Sequence, residues 1–196
     1  IENELKTIGL KDVSMDQNGY VYGFLPSSKD YTDKAAIGLI AHMDTSPDVT
    51  GTDAHPQIVE YTGGDIVLLN GESICEASFP SLKNYVGEKL IVTDGNTLLG
   101  ADDKAGIAEI ITACEFLAQN QDVPHRAIAV CFTPDEEIGR GADLFDFKTF
   151  KASETLFTNG YNTIQQYTES TVELTDCTFT NCTGLGSVID CQLDIE

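Results

Sequence analysis

The 196-residue sequence contains 32 acidic and 11 basic residues, which gives a formal net charge of −21 at neutral pH. This balance argues against nucleic acids and anionic membranes as partners, because affinity for phosphates depends on Lys and Arg. Hydrophobic residues make up 41% of the sequence, which is enough for one substantial core or slightly more. The acidic balance is typical of a solvated surface, and it would also suit a cation-binding cleft.

The cysteines and the first residues indicate the cellular location. The six cysteines show no CxxC spacing, which favours a reducing compartment. The opening stretch IENELKTIGL lacks the basic start and apolar run of a signal peptide, and no window approaches the ~18 apolar residues of a membrane span. We therefore expect a soluble, cytoplasmic protein. Because the sequence starts at Ile1 rather than Met, we also expect it to begin inside a longer gene product.

Strands and helices are predicted to alternate along the chain. Short apolar runs predict strands at 20–26 and 35–42, and the second is continuous enough to be covered on both faces. Further strands are predicted at 89–94 and 126–134, with an amphipathic helix over 104–120 between them. The apolar positions of this helix are Ile107, Ile110, Ile111, Cys114, Leu117 and Ala118. The order strand, helix, strand predicts a right-handed crossover in a largely parallel sheet, and ligands of such sheets gather at the carboxyl ends of the strands.

Two ionisable residues stand where the predicted strand 35–42 ends. His42 and Asp44 are two positions apart, so in an extended segment their side chains point to the same side. The aspartate can then hold one ring nitrogen while the other faces a metal ion. The alternative is a surface histidine beside an unrelated turn aspartate, and the motif alone does not exclude it.

Acidic pairs occupy two further loops. In NTLLGADDKAG one aspartate is enough to cap the following helix, so the other of Asp102 and Asp103 is available for an ion. In FTPDEEIGRGAD the acids Asp135, Glu136 and Glu137 follow the strand 126–134. Acids are common in a first helical turn, but adjacent glutamates point in different directions. One of them could bind a metal while the other acts as a base on metal-bound water.

These motifs in combination resemble those of a known family. The stretches AHMDTSPD, PQIVEYTGGDI, TLLGADDKAGIAEI and FTPDEEIGRGAD resemble the catalytic domain of the tripeptide aminopeptidases in the M20 family of dizinc metallopeptidases. The resemblance covers residues 1 to about 158 and implies an α/β domain with a mixed, largely parallel sheet flanked by helices. It also implies two zinc ions, a lid and dimerisation domain that is missing here, homodimers, and removal of the first residue of tripeptides.

The resemblance also implies roles for particular residues. His42 matches a ligand of one zinc ion, and Asp102 matches the carboxylate that bridges both ions. Glu137 matches a ligand of the second zinc ion, while Asp103 matches a neighbour that is not a ligand.

Two residues match catalytic rather than metal-binding positions of the family. Asp44 matches the aspartate that orients the histidine ligand. Glu136 matches the general base, which takes a proton from zinc-bound water and passes it to the leaving amine.

The sequence departs from the family at two further ligand positions. An acid is expected in the stretch TLFTNGYN, where Asn159 stands instead, and the last histidine ligand has no counterpart. His55 and His125 match positions that are not ligands and are predicted in loops. Weak or absent zinc binding is therefore expected of this chain, and the alternative function is a catalytically inactive fragment or a binding module with the peptidase fold.

After Thr158 the resemblance stops. Residues 159–196 are rich in Thr and Cys and predict short β segments at TVEL, CTFT and SVIDCQLDI, in a tail of unknown fold. The tail could be a foreign β module, a translation that left its reading frame, or a diverged end. A third function, that of a β-rich interaction protein, would require secretion and disulfides.

Overall fold

The structure is a computed structural model that describes residues 1–150 and the backbone of four strand segments at 155–158, 172–174, 178–180 and 193–195. The chain divides into two compact units, one formed by Ile1–Asp44 with Asp102–Glu196 and the other by Thr45–Ala101. The predicted domain boundary at residue 158 stays a prediction. Asn159 and the cysteines of the tail lie outside the described residues.

A six-stranded sheet forms the frame of the first unit. Its strands, in the order in which they lie, are β1 (Lys11–Met15), β2 (Val21–Leu25), β8 (Ile128–Thr133), β3 (Ala36–His42), β9 (Thr155–Thr158) and β11 (Thr178–Thr180). The pairs β1/β2 and β2/β8 are antiparallel, whereas β8/β3, β3/β9 and β9/β11 are parallel. The mixed, largely parallel sheet that was predicted is confirmed.

In the described part of the chain, three α-helices accompany the sheet. They are α1 (Glu2–Thr7), α2 (Ala101–Gln119) and α3 (Phe147–Phe150). Asp102 and Asp103 have non-helical backbone angles, so the regular part of α2 begins close to the predicted position 104. Within the described residues, no helix combines the length and apolar character that a bilayer crossing requires.

The central strand β8 is buried on both faces, as its continuous apolar run predicts. On one face Val130 and Phe132 pack with Leu5 of α1 and with the apolar stripe of α2. This stripe contains all six predicted positions, of which Ile110, Ile111 and Cys114 are buried and Ile107, Leu117 and Ala118 are partly buried against the same core. The predicted orientation of α2 is therefore confirmed.

An aromatic cluster covers the other face of β8. Its members are Tyr20, Tyr22, Phe145, Phe147 and Phe150, packed against Ala129 and Cys131. The Tyr22 hydroxyl accepts the N–H of Asp146 at 2.8 Å, which ties the start of α3 to β2. The neighbouring strand β3 was predicted to be covered on both faces, and this prediction is wrong. Ile40 is exposed, because the aromatic cluster covers β8 and β2 rather than β3.

The second unit contains two small antiparallel sheets. β4 (Gln57–Glu60) pairs with β7 (Lys89–Val92), and β5 (Ile66–Val67) pairs with β6 (Ser73–Ile74). The predicted strand 89–94 therefore exists, but it lies outside the main sheet, so the predicted crossover from it through α2 is wrong. The physical reason is that β7 has one buried face only: Val92 packs beside Tyr61 and Ile66, whereas Ile91 points outward.

The buried thiols provide a test of the packing in the first unit. Cys114 and Cys131 are fully buried, and burial raises the pKa of the Cys114 thiol to about 11 and also raises the pKa of Cys131. Because the thiolate is the reactive form, both should resist iodoacetamide near neutral pH, whereas the partly exposed Cys75 should react. Mass mapping of labelled peptides measures this, with guanidinium-unfolded protein as the control. Equal labelling of all three in the native protein would contradict the described core.

Candidate metal centre

The candidate site lies at the carboxyl ends of β3 and β8. These strands are parallel neighbours, and their last paired residues are His42 and Thr133. The segments that follow them, with Asp44 and with the acids 135–137, therefore leave the sheet at the same edge. Asp102 reaches this edge from the first turn of α2, as its 2.8 Å contact with the His42 ring shows. The acidic motifs of the first unit therefore lie together at the strand ends, as predicted.

His42 is buried and held at both ring nitrogens. Nδ1 lies 3.0 Å from the main-chain oxygen of Asp44, and because a carbonyl can only accept, Nδ1 carries the proton. Nε2 lies 2.8 Å from Oδ1 of Asp102. A hydrogen bond donated by the ring at this position requires a second proton, on Nε2. Burial lowers the pKa of His42, but the bond to Asp102 and the neighbouring carboxylates outweigh it and raise the pKa. A cation at Nε2 would take the place of that second proton.

The Asp44 carboxylate lies beside the His42 ring, as predicted, and also accepts two main-chain hydrogen bonds. Its Oδ1 accepts the N–H of Glu136 at 3.1 Å, and its Oδ2 accepts the N–H of Glu137 at 3.0 Å. The distance from Oδ1 to the His42 ring nitrogen is longer, at 3.4 Å. Burial raises the pKa of the Asp44 carboxyl, but the two amide donors outweigh this effect and lower the pKa. Nδ1 of the imidazole therefore meets both the main-chain oxygen and the carboxylate of Asp44, and the orienting role of Asp44 stays a prediction.

The two aspartates at the start of α2 have separate contacts, as predicted. Asp103 Oδ1 accepts the N–H of Gly106 at 3.1 Å and so caps the helix. A β-carbon at position 106 would collide with that carboxylate, which explains the glycine. Asp102 is the available acid: its side chain is 88% exposed and meets His42. The peptide bond between Asp102 and Asp103 is cis.

The acids after β8 form a single tight turn rather than the start of an α-helix. Glu136–Ile138 is a 3₁₀ helix, and Asp135 before it is left-handed, with φ 61° and ψ 20°. The Glu136 carboxylate is 58% exposed and lies 3.7 Å from His42 Nε2. A β-carbon at Gly141 would lie 3.1 Å from the Glu136 Cα, so a larger residue there would make a close steric contact with the main chain of the turn.

A group of donor atoms suitable for a cation results from these contacts. His42, Asp102 and Asp103 each offer one ligand atom, and these atoms lie within 4.8 Å of one another. One imidazole nitrogen with two carboxylate oxygens is a donor set that zinc accepts. Asp103 belongs to this group although the family resemblance implies that it is not a ligand. The two successive aspartates in the sequence could have indicated Asp103 as a possible metal donor. The need for a helix cap explains an aspartate at this position equally well.

The remaining predicted residues are placed as follows. Glu137 reaches the site through its main-chain N–H, bonded to Asp44. His55 and His125 lie in loops, as predicted, where His55 Nδ1 is 3.5 Å from Asp94 and His125 Nδ1 is 2.8 Å from the Arg126 carbonyl. The assignment of ligand and base roles to individual residues stays a prediction.

Sequence comparison relates most of the chain to one enzyme. No protein-family profile matches the chain. Peptidase T of Aliivibrio fischeri is 57% identical over 152 residues, and peptidase T of Alkaliphilus oremlandii is 59% identical over 154 residues. Peptidase T of Clostridium botulinum is 58% identical over 152 residues. Each match covers 76% of this chain and 37% of the relative, so the chain spans well under half the length of these relatives.

Solved structures show the same relationship. The aminopeptidase PepT of Bacillus cereus matches with a TM-score of 0.55 and 27% identity, covering 79% of this chain and 35% of that one. A tripeptidase of Staphylococcus aureus also matches with a TM-score of 0.55, at 22% identity over 79% of this chain and 35% of its own, a likeness that shows the fold alone. Over about three quarters of its length, the chain is therefore a relative of peptidase T with the fold of the M20 peptidases.

Proposed function

We propose that this chain provides the metal-binding and base-bearing part of a zinc-dependent aminopeptidase that releases the first residue of tripeptides. The observation that supports this most directly is the meeting of His42, Asp102 and Glu136 at one point. Asp102 Oδ1 and Glu136 Oε2 lie 2.8 Å and 3.7 Å from the same ring nitrogen. The similarity to peptidase T supports the choice of reaction and substrate, and the free buried thiols Cys114 and Cys131 suit the cytoplasm.

The donor atoms of His42, Asp102 and Asp103 fit zinc in kind. These three residues offer donor atoms for one ion. By the resemblance, Asp102 and Glu137 would also hold a second ion. When bound, zinc lowers the pKa of a coordinated water and polarises a peptide carbonyl. His42 is ready for this role because its Nδ1 proton is already engaged by the Asp44 carbonyl, which leaves Nε2 to face the ion.

Glu136 is the residue that moves the proton in this proposal. Its carboxylate is more than half exposed, so a substrate and a water molecule can reach it. In the ionised form it can take the proton of the attacking water and deliver it to the amine that leaves. The carboxylates around His42 could also bind the free ammonium group of a peptide, because opposite charges a few ångströms apart attract each other.

The proposal is tested in a chimera, because the relatives are much longer than this chain. Residues 1–158 replace the matching segment of Clostridium botulinum peptidase T, which is 58% identical there. We expect the chimera to release the amino-terminal residue of a tripeptide, to lose activity with a chelator and to regain it with zinc. An N-acetylated tripeptide is the matched control and should not be cleaved.

A folded chimera without activity, beside an active parent enzyme, would contradict the proposal. In that case the chain would be a catalytically inactive fragment or a binding module with the peptidase fold. Zinc titration of the 196-residue chain then shows whether metal binding remains.

A further inference from the structure

We infer that Asp44 is a positioning residue whose carboxylate, besides lying 3.4 Å from the imidazole of His42, holds the main chain of the Glu136–Glu137 turn. The catalytic consequence of this inference depends on the proposed function. The structural part does not, because it concerns contacts within the chain alone.

The contacts of Asp44 are divided between its side chain and its main chain. Both carboxylate oxygens accept backbone N–H groups, from Glu136 at 3.1 Å and from Glu137 at 3.0 Å. These donors lie 92 and 93 residues further along the chain. The His42 ring, in contrast, donates to the main-chain oxygen of Asp44 at 3.0 Å. Replacement of Asp44 by Ala therefore removes the contacts to the turn and the 3.4 Å approach to the ring, and it leaves the main-chain contact to the imidazole.

The turn depends on an acceptor from elsewhere in the chain. The first N–H groups of any helix lack partners within it, and a side chain just before the helix usually supplies one. Here Asp135 occupies that position in a left-handed conformation and makes no side-chain cap. The 3₁₀ helix is also only three residues long, so few internal bonds maintain it. Asp44 satisfies two successive donors at once, and charge-assisted bonds of this kind are the stronger ones.

The position of the Glu136 side chain follows from this contact. Asp44 leaves the sheet two residues after His42, so a link from Asp44 to the turn fixes the turn relative to the His42 ring. The distance between Glu136 Oε2 and His42 Nε2, 3.7 Å, therefore depends on this link. Loss of the Asp44 carboxylate should therefore displace the base while the histidine stays in place.

Amide exchange in the metal-free 196-residue chain tests the inference directly. In Asp44→Ala, the amides of Glu136 and Glu137 should exchange with solvent on the order of 10-fold faster or more, as measured by NMR. In Asp44→Asn only one side-chain oxygen remains as an acceptor, so one of the two amides should stay protected. Asp122→Asn, at an exposed aspartate after α2, removes the same charge and should leave both amides unchanged.

Two further readings separate positioning from general destabilisation. The amide of Val130 in the buried strand β8 should keep its exchange rate in Asp44→Asn, whose side chain has nearly the size of the original. The ¹⁵N shifts of the His42 ring should keep the tautomer with the proton on Nδ1 in both variants. Unchanged exchange at Glu136 and Glu137, or a changed His42 tautomer with both amides still protected, would overturn the inference.

The catalytic consequence is measured in the chimera with peptidase T. Asp44→Asn should lower kcat on the order of 10-fold with KM and zinc content close to those of the parent, because the base is displaced and no ligand is lost. Unchanged kcat would overturn this part. An inactive parent chimera would count against the proposed function and not against the exchange result, so the two failures are distinguishable.

Discussion

Asp102→Ala is expected to weaken zinc binding by the chimera with peptidase T on the order of 100-fold or more. Even residues that only support a ligand contribute about 10- to 100-fold to metal affinity, and Asp102 is placed as a direct donor opposite His42 Nε2. Its side chain is largely exposed, so the substitution removes a carboxylate without leaving a cavity in the core. Calorimetric titration with zinc measures the loss, and Asp122→Asn is the control with the same change of charge.

The same titration on Asp103→Ala determines the role of the second aspartate. The family resemblance implies that Asp103 is not a ligand, whereas its carboxylate lies with the other two donors. A change in helix stability of about 1 kcal/mol with unchanged zinc affinity would mean that it only caps α2. A loss of affinity comparable to that of Asp102→Ala would make it a donor. Unchanged zinc binding in Asp102→Ala itself would remove the proposed metal site.

Glu136→Gln in the chimera is expected to lower kcat by about 10²- to 10⁴-fold while zinc stays bound. The amide cannot take a proton from water, but it keeps the size of the side chain and the main-chain bond from Glu136 to Asp44. Steady-state kinetics and metal analysis of the same sample provide the two measurements. Glu109→Gln, on the exposed side of α2, is the matched control.

Glu137→Gln should differ from Glu136→Gln if the two acids have the proposed roles. It should lose zinc together with activity, because Glu137 is proposed as a ligand of the second ion. Activity retained in Glu136→Gln would exclude Glu136 as the base, and equal zinc loss in both variants would mean that the two roles are not separate.

Much of the first unit could be predicted from sequence because its elements have strong local patterns. The apolar run of β8 and the helical spacing of Ile110, Ile111 and Cys114 each specify both an element and a buried face. The strand β7 was located correctly but assigned to the wrong sheet. A run of four residues carries no information about its partner, and the pairing with β4 depends on Tyr61 and Ile66 beneath it.

The site shows the same division between local and distant signals. His42, Asp102 and Glu136 could be predicted because they follow predicted strands or precede a predicted helix. The bonds from Asp44 to the amides of Glu136 and Glu137 could not, because they join residues more than 90 positions apart and involve the main chain on one side. No side-chain pattern marks a main-chain donor. The left-handed conformation of Asp135 could not be predicted either, because aspartate is common both in turns and at helix starts.

The wide separation of the site residues along the chain links cation binding to folding. His42 and Asp102 are 60 residues apart, and Asp44 and Glu136 are 92 residues apart. In the unfolded chain, loops of this length must close before the donors meet, and this closure reduces conformational entropy. The pairing of β3 with β8 brings the segments that follow these strands together, so a cation would bind the native state in preference to the unfolded one. At a free zinc concentration about 100 times the dissociation constant, this preference would stabilise the native state by ~2.7 kcal/mol. Zinc would then act as a folding ligand, and the thermal midpoint of the chain would report how much zinc is present.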